Sequence, residues 1–385
     1  MSDRRLTYPL LPFSQLVYDT TRWLPRRFCR YVITIRVKGI EKGMAEDVFR
    51  KVLENHPVFC SNINWRGRQY AIKVRDIFRG KYHEFSIWEK NDYLYMKMEI
   101  NGVIGDNKSV YVLTEDIINA YLGIPLAQDD YWGYIKRHEQ RKLESHYLQS
   151  KKWLIQEFEN IDAPIHPKID RHCYETIFPY KVGLLAVEFT QSLSKIKSFT
   201  RSSHLSVDGL FVVCTGLAIA EYCDSDEAAL TWAYDGRETL EEQHIFGGLH
   251  RDVPFKISRK SKVESQKSAS REELIREARN QIRSGIAHSD YPYTLTSPYS
   301  KRWNNAVNVL RVTNIENILE LVPVPFEVVT IPTLRYTFAL LDVEIVEGAA
   351  SLYIRFRYSA THYKESSIRR FADLIRKYAE WLMEE

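Results

Sequence analysis

No window of the chain approaches the ~18 uncharged apolar residues that a membrane span needs, so no stretch reads as a transmembrane helix. The first residues, Met1 to Pro9, hold no apolar core of signal-peptide length. Cysteine is scarce: Cys29, Cys60, Cys173, Cys214 and Cys223 are odd in number and show no CxxC spacing. That excludes a closed disulfide framework and reads as free thiols in a reducing compartment, so a cytoplasmic location is expected. His166, His172 and Cys173 cluster but fit no common zinc template, and they read as surface loop residues with no metal site. Net charge is also small, +4 over 385 residues and spread along the chain, which argues against nucleic-acid binding. Basic clusters (Arg22, Arg26, Arg27, Arg30; Lys136, Arg137, Arg141, Lys142; Arg259, Lys260, Lys262) read as solvated faces. The patterns GxxxxGK(S/T), GxGxxG, GxSxG and HExxH are missing, so there is no local sign of nucleotide hydrolysis, dinucleotide binding, α/β-hydrolase or zincin chemistry.

What the chain does contain is a repeated strand–helix grammar with 44% hydrophobic and 13% aromatic residues, enough for two cores. Tyr31, Ile33, Ile35 and Val37 alternate with polar residues as in a half-buried strand. Ala45, Val48, Phe49, Val52 and Leu53 follow at helical spacing, stopped by Asn55-His56-Pro57. Strands are expected near 69–75, 83–88 and 93–100, with a helix from Ser109 and a charge-rich helical region over about 130–159. The stretch Asp162 to Pro167 is the best linker candidate. Beyond it the grammar repeats: a strand at 183–190, helices at 192–201 and 207–222, a strand at 230–235, a helix at 271–285, a strand at 352–358 and a closing helix. This order predicts a two-lobed α/β protein with lobes 1–167 and 168–385 and a cleft between them.

The most informative stretch runs from Met98 to Tyr111. A strand with Leu94, Met96, Met98 and Ile100 on one face enters a Gly/Asp/Asn turn, Asn101-Gly-Val-Ile-Gly-Asp106-Asn107, and a helix opens at Ser109. This layout resembles the active-site strand–turn–helix of nonribosomal peptide synthetase condensation domains, relatives of chloramphenicol acetyltransferase, where the pattern is His-His-x-x-x-Asp-Gly. Further stretches in the same order carry the resemblance. They are Tyr8 to Gln15, Glu54 to Phe59, Ala233-Tyr-Asp-Gly236-Arg237, Phe246 to Pro254, and Ala287-His288-Ser-Asp290-Tyr-Pro292. The resemblance implies two chloramphenicol-acetyltransferase-like lobes in a V around a central tunnel. Peptidyl or aminoacyl carrier proteins of a synthetase module would deliver substrates there on a phosphopantetheine arm, with no bound cofactor, nucleic acid or membrane.

The turn departs from the family at its chemistry. Condensation needs a group to take or orient a proton of the attacking amine, and a near-neutral imidazole suits that task. Gly102 stands where the second histidine belongs and offers no side chain; Asn101 replaces the first and cannot titrate. Asp106 survives. The resemblance gives it a structural role, paired with an arginine for which Arg237 is the candidate; the alternative is a plain Asx-type turn residue. Heterocyclization domains replace the histidines with Asp-x-x-x-x-Asp-x-x-Ser, and Asn101, Asp106 and Ser109 match two of those three positions. Ser109 also suits a helix N-cap. Ser203-His204-Leu-Ser-Val-Asp208-Gly209 spells His-x-x-x-Asp-Gly but reads as the start of the apolar helix. His250, His288 and His362 are further candidates for the cleft. Two functions remain open: a stand-alone condensation-like protein that binds carrier-tethered intermediates without histidine-dependent amide formation, or an enzyme with cyclizing or acyl-transfer chemistry at the same place.

Overall fold

The computed structural model describes residues 6–22, 29–171, 180–189, 191–259, 268–296, 303, 306–312, 326–330, 336–337, 339–348 and 351–384. His172, Cys173, Arg26, Arg27, Lys260 and Lys262 lie outside them. The chain divides into two compact units. The first comprises Met1–Arg141, Asp235–His250 and Thr313–Arg335; the second comprises Lys142–Tyr234, Arg251–Val312 and Tyr336–Glu385. The lobes expected from sequence are continuous stretches, whereas these units exchange segments along the chain.

In the first unit, strands β2 (Arg30–Val37), β5 (His83–Lys90), β6 (Tyr93–Asn101) and β11 (Glu327–Thr330) form an antiparallel sheet in the order β11-β2-β6-β5. Period-two alternation sets its register: Ile33 faces Met98 and Ile35 faces Met96 across β2 and β6, all within 2% of full burial. The β5–β6 connection is the two-residue turn Asn91-Asp92, with both φ values positive (51° and 60°). Such a turn matches strand twist, and Asn and Asp tolerate it best after glycine. Two helices share the sheet's core. Helix α2 (Lys42–Asn55) contributes Ala45, Phe49, Val52 and Leu53, and α3 (Asn107–Tyr121) contributes Val110, Leu113 and Ile117. Burying each of these larger side chains is worth about 1.5–3 kcal/mol. A second, three-stranded sheet joins β1 (Tyr8–Pro9), β4 (Arg68–Ala71) and β3 (Ser61–Ile63).

The charge-rich region is two helices, α4 (Tyr131–Arg141) and α5 (Ser145–Phe158), and the boundary between the units falls between them. Asp162 to Pro167 lies inside the second unit. There Pro164 and Ile165 accept backbone bonds from Ala229 (3.0 Å) and Val307 (2.8 Å).

The second unit is built on a seven-stranded sheet in the order β12-β7-β14-β13-β10-β8-β9. Its strands are β7 (Tyr180–Glu188), β8 (Glu227–Tyr234), β9 (Arg251–Ser258), β10 (Asn308–Val312), β12 (Tyr336–Thr337), β13 (Leu341–Glu347) and β14 (Leu352–Ser359). β10 runs parallel to β8 and β13; the other pairings are antiparallel. Helix α7 (Val207–Tyr222) is apolar all round and buried from Gly209 to Ala220, as a central helix must be. It shares a core with Phe371, Ile375 and Tyr378 of the closing helix (Glu365–Leu382). Ser206 caps α7 by accepting from the Gly209 N–H at 3.0 Å. His204 (φ 55°) ends the preceding helix α6 (Leu193–Ser203), so the His-x-x-x-Asp-Gly spelling there is a junction between helices. Among the described residues no single helix is long and apolar enough to cross a membrane.

Candidate functional site

The turn after β6 is buried from Asn101 through Asp106. Asn101 ends the strand and folds back on itself: its side-chain oxygen accepts from the Val103 N–H (2.9 Å) and its carbonyl from Ile104 (3.0 Å). The Gly102 N–H donates to Cys29 O (2.8 Å). A side chain begun at Gly102 would meet nothing closer than Val17 Cγ1 at 3.6 Å. At Gly105 the Phe246 ring lies 3.0 Å from where a Cβ would stand, so only glycine fits without a shift.

Asp106, not Ser109, is the N-cap of α3. The helix begins two residues earlier than the sequence suggests, and Ser109 sits at its third position to complete a reciprocal capping box. The Asp106 carboxylate accepts three hydrogen bonds on each oxygen. Oδ1 takes the Ser109 N–H (2.8 Å), the Ser109 hydroxyl (2.8 Å) and Arg237 Nη2 (3.2 Å). Oδ2 takes Arg237 Nη1 (3.1 Å), the Leu249 N–H (2.8 Å) and the His250 N–H (3.2 Å). Burial by itself pushes this carboxyl up; the Arg237 guanidinium, with His250 and the hydrogen bonds, reverses the direction and holds it at about 2.

Arg237 is equally committed. Its Nε donates to Ile245 O (3.0 Å), Nη1 also to Asp235 (2.9 Å), and Nη2 also to Gly247 O (3.1 Å). The structure thus brings Asp106, Ser109 and Arg237 together, and gathers the loop Ile245–His250 around them. Ser109 is fully buried, and its oxygen accepts from the backbone N–H groups of Asp106 and Gly247 (both 3.1 Å). Its single proton lies between Asp106 and Gly247 O (2.7 Å). A hydroxyl so enclosed has no lone pair left for a substrate carbonyl.

Lys108 is the titratable group that sequence reading passed over. Burial pushes its ammonium pKa down, while neighbouring Asp235 opposes the shift, and Nζ stands 4.0 Å over the Tyr111 ring. Of the other sequence candidates, His250 stays beside the turn, its backbone N–H on Asp106 and its ring packed on Phe13 with centroids 3.7 Å apart. In the second unit, His288 stacks on Trp153 (4.6 Å) and bonds Ser150 (3.0 Å), and His362 bonds Ser359 (2.8 Å). His166 bonds its neighbour's carbonyl, Pro167 O (2.9 Å). Among the described residues no group of three His, Cys, Asp or Glu side chains is placed to hold a metal ion.

The condensation-domain family matches residues 75–385, most of the chain and the whole of this turn. The chain belongs to the condensation-domain family. Its fold is that of solved members. The epimerization domain from the third module of tyrocidine synthetase B superposes with a TM-score of 0.79 at 14% identity, over 98% of this chain and 97% of that one. The X-domain from teicoplanin biosynthesis gives 0.76 at 13%, over 99% and 96%. The starter condensation domain of rhizomide synthetase gives 0.74 at 12%, over 97% and 95%. No curated protein sequence matches the chain. Family membership makes the α/β architecture that of condensation domains, with chloramphenicol-acetyltransferase-like lobes. At the turn itself this chain carries Asn101 and Gly102, neither of which bears a titratable side chain.

Proposed function

We propose that the protein binds carrier-protein-tethered intermediates of nonribosomal peptide or related metabolite assembly without forming amide bonds by histidine catalysis. The observation that carries this reading is the turn itself. Its two imidazole positions hold Asn101 and Gly102, and its surviving polar groups, Asp106 and Ser109, are buried and turned inward onto Arg237 and the Ile245–His250 loop. Phe246, packed on Gly105, covers the turn from that side. The X-domain of teicoplanin biosynthesis, which shares the fold, has been solved in complex with OxyB, an example of this scaffold engaging a protein partner. The phosphopantetheine arm of a carrier protein is the ligand this reading requires.

A second reading, an enzyme with non-standard acyl-transfer or cyclizing chemistry, has Lys108 in its favour. A lysine whose ammonium is disfavoured by burial is more readily present as the free amine that can take a proton.

Intact-mass spectrometry of carrier proteins bearing aminoacyl-phosphopantetheine thioesters separates the two, with native mass spectrometry scoring the complex. The wild-type chain should leave the thioester mass unchanged and form a complex with the loaded carrier. A new product mass that disappears in Lys108→Met would replace the binding reading with the enzymatic one. Absence of both turnover and complex refutes each.

A further inference from the structure

A second set of buried ionisable groups lies in the first unit, away from the turn. His56, at the C-terminal end of α2, is fully buried. Its Nδ1 lies 2.7 Å from Asp129 Oδ2, in the segment before α4, and its Nε2 lies 3.2 Å from Asp116 Oδ2, on α3. The first contact is a hydrogen bond; the second is an ion-pair contact off the hydrogen-bond direction. The Phe59 and Phe246 rings pack on the imidazole with centroids 6.2 and 5.5 Å away.

Burial raises the pKa of the Asp129 carboxyl, and the His56 hydrogen bond opposes that. While both carboxylates are ionised they only accept, and a neutral imidazole has one N–H, so its bare nitrogen would have to face an anion. The protonated ring presents an N–H to each side. It also leaves the trio with one net negative charge rather than two, in surroundings that penalise every uncompensated charge. Burial favours the neutral ring, but the two carboxylates outweigh it and raise the pKa of His56. Other ionisable neighbours do not take over this role. Buried His83, 4.9 Å from the Phe59 ring, is pushed down to about 4 and is neutral. Tyr131 donates its hydroxyl to Gln69 (2.7 Å), and Arg237 is engaged by Asp106 and Asp235.

Asp129 has a second task. The same Oδ2 accepts the Phe246 N–H at 3.1 Å. Phe246 opens the stretch whose Gly247, Leu249 and His250 N–H groups bond Ser109 and Asp106. The loop is therefore tied at one end by Asp129 and at the other by Asp106. We propose that His56, clamped as an imidazolium between Asp116 and Asp129, is a positioning residue that fixes the Phe246–His250 loop and through it the Asp106–Arg237 pair.

The full chain with ¹⁵N-labelled histidine tests this by NMR of the His56 ring at pH 8, where an ordinary histidine is neutral. Two protonated ring nitrogens are expected; a neutral tautomer overturns the proposal. Hydrogen exchange at pH 7 adds the positional readout. In His56→Gln and Asp129→Asn, the peptide covering 245–250 should lose protection by about tenfold or more while β6 keeps its own. Unchanged loop protection, or loss spread evenly over the unit, overturns the positioning role. The wild type needs no variant: loop protection, corrected for base-catalysed exchange, should fall as pH rises through the raised pKa of His56. A profile flat into the alkaline range overturns it.

Discussion

Replacing Asp106 by asparagine tests whether charge holds the turn. The substitution keeps the shape and one acceptor oxygen but removes the anion from Arg237, whose side chain is fully buried. The remaining carboxylate, Asp235 at 2.9 Å, is 37% exposed and compensates in part. Two routes give the magnitude. The Asp106 carboxyl sits at about 2 in the folded chain against an ordinary 3.8. Converted at about 1.36 kcal/mol per pH unit, the folded state favours the carboxylate by about 2.4 kcal/mol at neutral pH. Independently, deleting one partner of a buried pair costs about 3–5 kcal/mol, because the other charge is stranded. With Asp235 still in place, Asp106→Asn should cost about 2–3 kcal/mol and Arg237→Met about 3–4 kcal/mol. The double variant strands no charge, so its cost should fall short of the sum by about 2 kcal/mol. Because the two units need not unfold together, the readout must report on the first unit. Opening free energies from hydrogen exchange of the β6 amides (Tyr93–Asn101) do so. Single-variant costs under about 1 kcal/mol, or strict additivity in the double variant, would refute the reasoning.

The same carboxylate gives a pH signature. Its folded pKa lies below the unfolded one, so its contribution is fully present above about pH 3.8 and is lost as pH falls through about 2. The gap in urea midpoint between wild type and Asp106→Asn should therefore close on acidification; a constant gap contradicts the assignment. Gly105→Ala puts a Cβ 3.0 Å from the Phe246 ring and 3.3 Å from Ser109 Cβ. It should destabilise the first unit by about 1–3 kcal/mol, and by less in a Phe246→Leu background. Equal costs in both backgrounds would show that the ring is not the obstacle. Ser206→Ala removes the α7 cap and should cost about 1 kcal/mol in the second unit, with Ser206→Thr largely restoring it. An unchanged melting transition in Ser206→Ala would rule the cap out.

Local pattern is read best where burial is one-sided or complete. Period two marks β2 and β6, and the apolar run Leu210–Ala220, interrupted only by Thr215 and Gly216, marks α7. Reading fails where tertiary contacts override local chemistry. The region 130–159 has a helical pattern throughout, and Lys142-Leu143-Glu144 contains no breaker, yet the chain leaves the helix there and passes to the other unit. Asp162 to Pro167 looks like a linker because it holds two prolines, yet Pro164 accepts from Ala229 of β8 and Ile165 from Val307, just before β10. The sequence leaves the start of α3 ambiguous because aspartate and serine are both good caps, and only the fold decides which side chain accepts from the first N–H groups. The site is the least local part of all. Leu249 reaches Asp106 across 143 residues through a backbone N–H, which no side-chain pattern encodes. The His56 trio, drawn from a helix end, a helix face and a loop, likewise has no spacing that announces it.

On the proposed reading, a turn that combined two imidazoles with an aspartate would join two separable jobs. Here every interaction of Asp106 runs inward: it caps α3, neutralises Arg237 and collects two N–H groups of the loop. None of these needs a base at 101 or 102, so on the proposed reading the aspartate serves the fold and an imidazole would serve the reaction. The packing agrees, since a Cβ at Gly102 would be in ordinary contact with Val17 at 3.6 Å and meets no obstacle there. On that reading, what Gly102 lacks is an imidazole. Gly102→His in the carrier-protein assay isolates it. Product formed by this variant alone would mean that the scaffold still aligns amine and thioester and lacks only the proton acceptor, since alignment itself supplies much of the rate. A folded Gly102→His protein that binds the loaded carrier and makes no product would mean that the substrates are held out of reach of each other. The retained Asp106 would then speak for stability alone.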